Sequence, residues 1–108
     1  MTKEINYVNL IGQIANTPKI VKTKEGGLVA KFSINTRETY LDETGEMRDV
    51  NNRHNVSAWG RWASILEKLG EKGQALAIEG RLKSRYFRTK SGENRSITEV
   101  EINDLIIL

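Results

Sequence analysis

Residues 51–70 read NNRHNVSAWGRWASILEKLG, and a change of rhythm inside this stretch decides the fold. Up to position 59 the side chains alternate as on an extended strand. The small apolar Val56 and Ala58 share one face with His54, while Arg53, Asn55, Ser57 and Trp59 share the other. The apolar face is the inward one, so Trp59 points out among polar neighbours. From Arg61 the period lengthens. Trp62, Ile65, Leu66 and Leu69 fall at i, i+3, i+4 and i+7, one stripe of a short helix that Gly70 or Gly73 would end.

The alternation continues on either side. Upstream, residues 7–14 place Val8, Leu10 and Ile14 on one face before the turn NTP, and residues 29–36 alternate Ala30, Phe32 and Ile34 against Lys31, Ser33 and Asn35. Between these strands, EGG at 25–27 provides the glycines that a tight reversal needs. Past Arg37 the pattern loosens into ETYLDETGEMRDVNN, whose centre DETGE reads as the tip of an extended hairpin arm. Downstream, residues 76–87 form a long strand, TKSGEN a turn, and residues 95–102 an antiparallel return before the apolar end LIIL. The result is mainly all-β: five strands with one short helix between the third and fourth. That is the element order of an OB-fold, a partly open Greek-key barrel. Residues 1–108 are expected to form one such domain, with no repeat or linker.

Composition narrows the chemistry. The 108 residues include no cysteine, which removes disulfides, zinc–thiolate sites and thiol catalysis and fits a reducing compartment. No apolar run approaches the roughly 20 residues of a membrane span, and the N-terminal MTKEINYVNL lacks a signal-peptide core. We therefore expect a cytoplasmic, nucleoid-associated protein. Seventeen Lys and Arg against fourteen Asp and Glu leave a net charge of +3, a modest excess whose placement matters more than its size.

Placement is informative in the strand over 76–87. Parity sends Leu76, Ile78, Leu82 and Tyr86 inward, and Glu79, Arg81, Lys83, Arg85 and Phe87 outward. A lone row of charges is ordinarily a solvated face. Here two strands each present an outward aromatic beside outward cations. Flat rings that stack on bases, with cations spaced along an extended surface to meet phosphates, are what sequence-tolerant binding of single strands requires. A duplex hides the faces of its bases, so the pattern favours single strands. Trp62, by contrast, belongs to the helical stripe and is expected in the core.

Nothing in the sequence asks for an enzyme, a metal or a cofactor. His54 is the only histidine and has no recognisable catalytic or metal-ligating partner. Asp42, Glu43, Glu46 and Asp49 lack EF-hand spacing and read as a solvated hairpin tip. No P-loop, nucleophile elbow or dinucleotide fingerprint is present.

Taken together, VNLIGQIANTPKI, GGLVAKFSINTRETY, the GEM turn, RHNVSAWGRWASI, EKGQALAIEGRLKSRYF and SGENRSITEV resemble the single-stranded DNA-binding proteins of bacterial and mitochondrial type, over essentially the whole chain. The resemblance implies an OB-fold that assembles, usually as a homotetramer, and wraps single-stranded DNA by stacking and a basic track. It places Tyr40, Trp59 and Phe87 at stacking positions; Tyr40 rests on the resemblance alone. It places His54 at subunit contacts. At position 53 the family commonly has tryptophan, and Arg53 stands there instead, a planar cation that can still stack. Typical bacterial members continue into a flexible segment with an acidic tip that recruits replication and repair proteins. This sequence stops at Leu108 before any such segment, as it would if the tail were removed or the form tailless, so replication and repair proteins remain possible partners but recruitment through a tail is not claimed for it.

The expected function is sequence-independent binding and protection of single-stranded DNA in replication, recombination and repair. Tyr40, Arg53, Trp59 and Phe87 would stack, and Lys31, Arg61, Arg81, Lys83 and Arg85 would meet phosphates. A homotetramer is expected, with a dimer as the smaller alternative. A tailless adaptor of primosomal type and an RNA-binding OB module are the competing readings.

Overall fold

The computed structural model describes residues 3–108. Six strands and one helix follow in the order β1 (Val8–Ile14), β2 (Lys19–Lys22), β3 (Leu28–Leu41), β4 (Met47–Trp59), α1 (Arg61–Leu69), β5 (Ala75–Arg88) and β6 (Asn94–Ile107). The sheet order is β1-β5-β6-β4-β3-β2, and β1 also pairs with β3. That last pairing closes β1, β3, β4, β5 and β6 into a five-stranded barrel and leaves β2 as an appended edge. The OB-fold expectation holds, with the helix between the third and fourth barrel strands. The extra strand, KIVK, is four residues long, too short for its alternation to stand out between two turns.

Closure depends on close approach at a glycine. At Gly12, where β1 crosses from β5 to β3, an added Cβ would sit 2.1 Å from the carbonyl oxygen of Asn35. Beyond the crossing, the Ala15 amide donates to the Ser33 carbonyl at 2.8 Å, and the Ser33 amide donates to Asn16 Oδ1 at 2.8 Å. On the other edge of β1 the Asn6 side chain acts as one more rung of the ladder. Its Nδ2 donates to the Leu82 carbonyl and its Oδ1 accepts from the Leu82 amide.

Inside the barrel, Ile14, Ala30, Phe32, Ile34, Val56, Ala58, Leu76, Ile78, Val100 and Ile102 interdigitate, and α1 covers one end with Ala63 and Leu66. The register of β5 against β6 skips Asn103, since Gly80 pairs with Ile102 but Glu79 with Asp104. This bulge reverses the parity of β6, so Leu105 turns inward as Ile102 does. The helical stripe is partly as expected. Leu66 is buried, Trp62 and Ile65 are half-buried against the core, and Leu69, the last residue of α1, is exposed.

Two hairpins, β3–β4 and β5–β6, run on beyond the barrel as arms. The radius of gyration is 16.3 Å, against about 13 Å for a compact chain of this length. The arms correct one expectation. Leu82 and Tyr86 lie on the pleat face that faces inward at Leu76 and Ile78, yet they are 48% and 82% exposed. The strand keeps its parity after the core behind it has ended.

Candidate nucleic-acid interface

The outward pleats of β3, β4, β5 and β6 form one continuous surface, and the pairings fix which side chains meet on it. Lys31 lies opposite Ser57 on β4, Ser57 opposite Glu101 on β6, and Glu101 opposite Arg81 on β5. Trp59, at the last position of β4, lies opposite Val29. It is about half exposed, at the point where Gly60, at φ 59°, turns the chain into α1.

Trp59, Lys31 and Arg85 line one shallow groove of about 280 Å³ with Val21 and Val29. A second groove, of about 370 Å³, continues from it past Lys19, Lys31, Ser33, Asn55, Arg85 and Ile97. Farther along β5, Phe87 is half exposed at an open notch of about 590 Å³ near the end of the arm, beside Arg88 and Arg95. An aromatic ring at each end with cations between them is a surface suited to an extended polyanion with flat bases.

Four of the five expected phosphate contacts, Lys31, Arg81, Lys83 and Arg85, fall on this surface. Each is paired with a carboxylate of β6. Lys31 Nζ is 2.9 Å and Arg85 Nε 3.4 Å from Glu99 Oε1, and Lys83 Nζ is 2.9 Å and Arg81 3.7 Å from Glu101 Oε2. Glu99 and Glu101 were absent from the sequence reading, although each stands on β6 with alternating parity like the cations it meets. Lys19 was missed with β2, the strand that carries it. Arg61 lies apart from the grooves, with its guanidinium 4.6 Å from the ring centroid of Trp62.

Arg53 shares the outward parity of Trp59 but stands about 20 Å up the strand. It lines a cleft of about 170 Å³ where the arms diverge, with His54 and Asn55 on one side and Leu82 and residues 98–100 on the other. His54 is half-buried on the opposite pleat, with Nε2 2.9 Å from Thr36 Oγ1 across the hairpin. Tyr40 is exposed near the arm tip opposite Arg48. Its register puts it on the pleat of Ile34 and His54, not on that of Trp59, so one chain does not bring Tyr40 and Trp59 together.

The acidic stretch at the tip is a structural device. Asp42 Oδ1 accepts from the Thr44 hydroxyl at 2.7 Å and from the amides of Thr44 and Glu46, and Oδ2 accepts from Arg48 Nε at 2.9 Å. These donors, the Thr44 hydroxyl foremost, pull the Asp42 carboxyl down to about 2. Asp49 is likewise lowered, first by the Thr39 hydroxyl and then by Arg37. Among the described residues no group of three or more His, Cys, Asp or Glu is placed to hold a metal ion, and no helix is long and apolar enough to cross a membrane.

Known proteins share this architecture. The family model described as the single-strand binding protein family matches residues 5–108. Single-stranded DNA-binding protein 1 of Chlorobaculum tepidum is 33% identical over 109 aligned residues, covering all of this chain and 67% of that protein. Among solved structures, the Plasmodium falciparum protein in complex with single-stranded DNA superposes with a TM-score of 0.91 at 28% identity, over 100% of this chain and 98% of that one. A deletion mutant of the single-stranded DNA-binding protein from Thermus aquaticus gives 0.84 at 30% identity, over 96% of this chain and 50% of that one. With a family model spanning both arms and the barrel, and relatives aligned end to end with the chain, the protein belongs to the single-strand binding protein family.

Proposed function

We propose that this protein binds single-stranded DNA without sequence preference and without catalysis, and shields it during replication, recombination and repair. The observation that carries the reading is Trp59, half exposed in a groove whose other walls include Lys31 and Arg85. A base stacks on the ring while the cations face the flanking phosphates. Phe87 gives a second platform farther along β5, and Arg81 and Lys83 extend the track toward the barrel. Arg53, Tyr40 and Arg61 serve a strand that continues around the arms and past α1, beyond the grooves of a single chain.

Self-association, as a homotetramer or a dimer, belongs to the same reading. Ile11 and Ile106 are exposed in one row across β1, β5 and β6, with Ala77 between them. A second copy that covered this row would remove apolar surface from water, worth about 25 cal/mol per Å². His54, on the pleat that the arms leave uncovered, is a subunit contact in this reading.

Fluorescence anisotropy of labelled oligo(dT) tests the function. Binding should be unaffected by excess duplex and should weaken with salt at about −0.7 in log K per log salt for each phosphate neutralised. Equal competition by duplex would overturn the reading. Stronger competition by a matched RNA would move it to RNA.

A further inference from the structure

The cations of the track are not free. Lys31 and Arg85 converge on Glu99, and Arg81 and Lys83 converge on Glu101, one carboxylate to two cations in each case. The acids lie beneath and the cations above. The side chains of Glu99 and Glu101 are 7% and 18% exposed, whereas those of Arg81, Lys83 and Arg85 are about half exposed. The half-exposed pairs to Glu101 contribute only about 0–1 kcal/mol. An enclosed acid such as Glu99 gains little net stability over an apolar residue of its size, although breaking its pairs is costly. Stability is therefore a weak reason for two acids in the middle of a polyanion-binding surface.

We infer that Glu99 and Glu101 are positioning residues that compete with phosphate: they hold four cations in place and halve the charge those cations deliver to a strand. This rests on the single-strand binding reading above. Four cations against two carboxylates leave a net charge of two. The salt slope from this part of the track should therefore be about −1.4 where four unopposed cations would give about −2.8. The carboxylates stay beside the cations when a strand leaves and take back the interactions that the phosphates give up. The strand is thereby held with an affinity that permits exchange, and the cations remain ordered without it.

Salt-dependent titrations of oligo(dT) against the full chain, Glu101→Gln, Glu99→Gln and Glu67→Gln test this. Glu67 lies exposed on α1, away from the grooves, and its change raises the net charge by the same unit. Glu101→Gln and Glu99→Gln should each bind several-fold tighter at low salt and steepen the slope by about 0.7, so that the gain shrinks about fivefold for each tenfold rise in salt. Glu67→Gln should follow the unaltered protein. Glu99 is nearly enclosed, so Glu101→Gln decides the matter if Glu99→Gln unfolds. An unchanged slope in Glu101→Gln, or an equal gain in Glu67→Gln, would overturn the inference. Failure of the unaltered protein to bind oligo(dT) would instead overturn the functional reading.

Discussion

Ile78 and Leu82 stand on the same face of the same strand, four residues apart, yet Ile78 is 1% exposed and Leu82 is 48% exposed. The same contrast separates the barrel from its arms. In the barrel, each inward pleat meets the inward pleats of other strands and α1. In the arms, the two-stranded ribbon has nothing behind it, and Leu82, Tyr86, Tyr40 and Val50 on the continuation of the inward pleat are open to solvent. Alternation tells which side of a strand a residue takes. Whether that side is covered depends on where the barrel ends.

The largest effect that would break this comparison is in the barrel. Ile78→Ala should cost about 2–5 kcal/mol of stability, as a deletion in a closed core does. Urea unfolding measures it, and a loss below about 1 kcal/mol would mean that the barrel is no better packed than the arm. Phe87→Ala tests the arm's outward pleat: affinity for oligo(dT) should fall by about 1–3 kcal/mol, the range measured for base stacking in proteins of this kind, with the melting temperature unchanged. Leu82→Ala should cost less than about 1 kcal/mol in dilute protein, because little contact is lost where water already reaches. A cost that grows with protein concentration would sharpen the picture by showing that a second copy covers Leu82.

The smallest effect lies at the tip of the β3–β4 arm. The Asp42 carboxyl sits at about 2 against an ordinary 3.8, so its contribution to the turn is complete above 3.8 and is lost as pH falls through about 2. Amide exchange should show residues 42–47 opening over that interval while the amides of β1 and β5 in the barrel stay protected. Simultaneous opening of tip and barrel would contradict the independence of the arm.

These contrasts explain which parts of the molecule the sequence disclosed. Barrel strands were legible because one buried face forces strict alternation, as in residues 29–36, and the helix because its period departs from that of the strand before it. The β3–β4 arm with its tip at DETGE and the span of β5 were legible too, whereas the short β2 was hidden by its length, the end of β6 by the bulge after Ile102, and the exposure of Leu82 and Tyr86 because parity does not say where the core behind a strand stops. On the candidate surface, parity accounts for the common side taken by Trp59, Lys31, Arg81, Lys83, Arg85 and Phe87, since outward pleats of paired strands must share a surface. Glu99 and Glu101 were not legible, because an acid in a basic protein looks like ordinary solvated charge until the register places it beneath the cations.

The central claim is that the outward pleat, and Trp59 in particular, receives the bases. The two tryptophans make this directly measurable, since Trp59 is open in the groove and Trp62 is half-buried under Arg61. Titration with oligo(dT) should quench tryptophan emission in the unaltered protein. Trp59→Ala should remove most of that response, and Trp62→Ala should retain it while lowering stability. Quenching that survives Trp59→Ala at full amplitude would contradict the account.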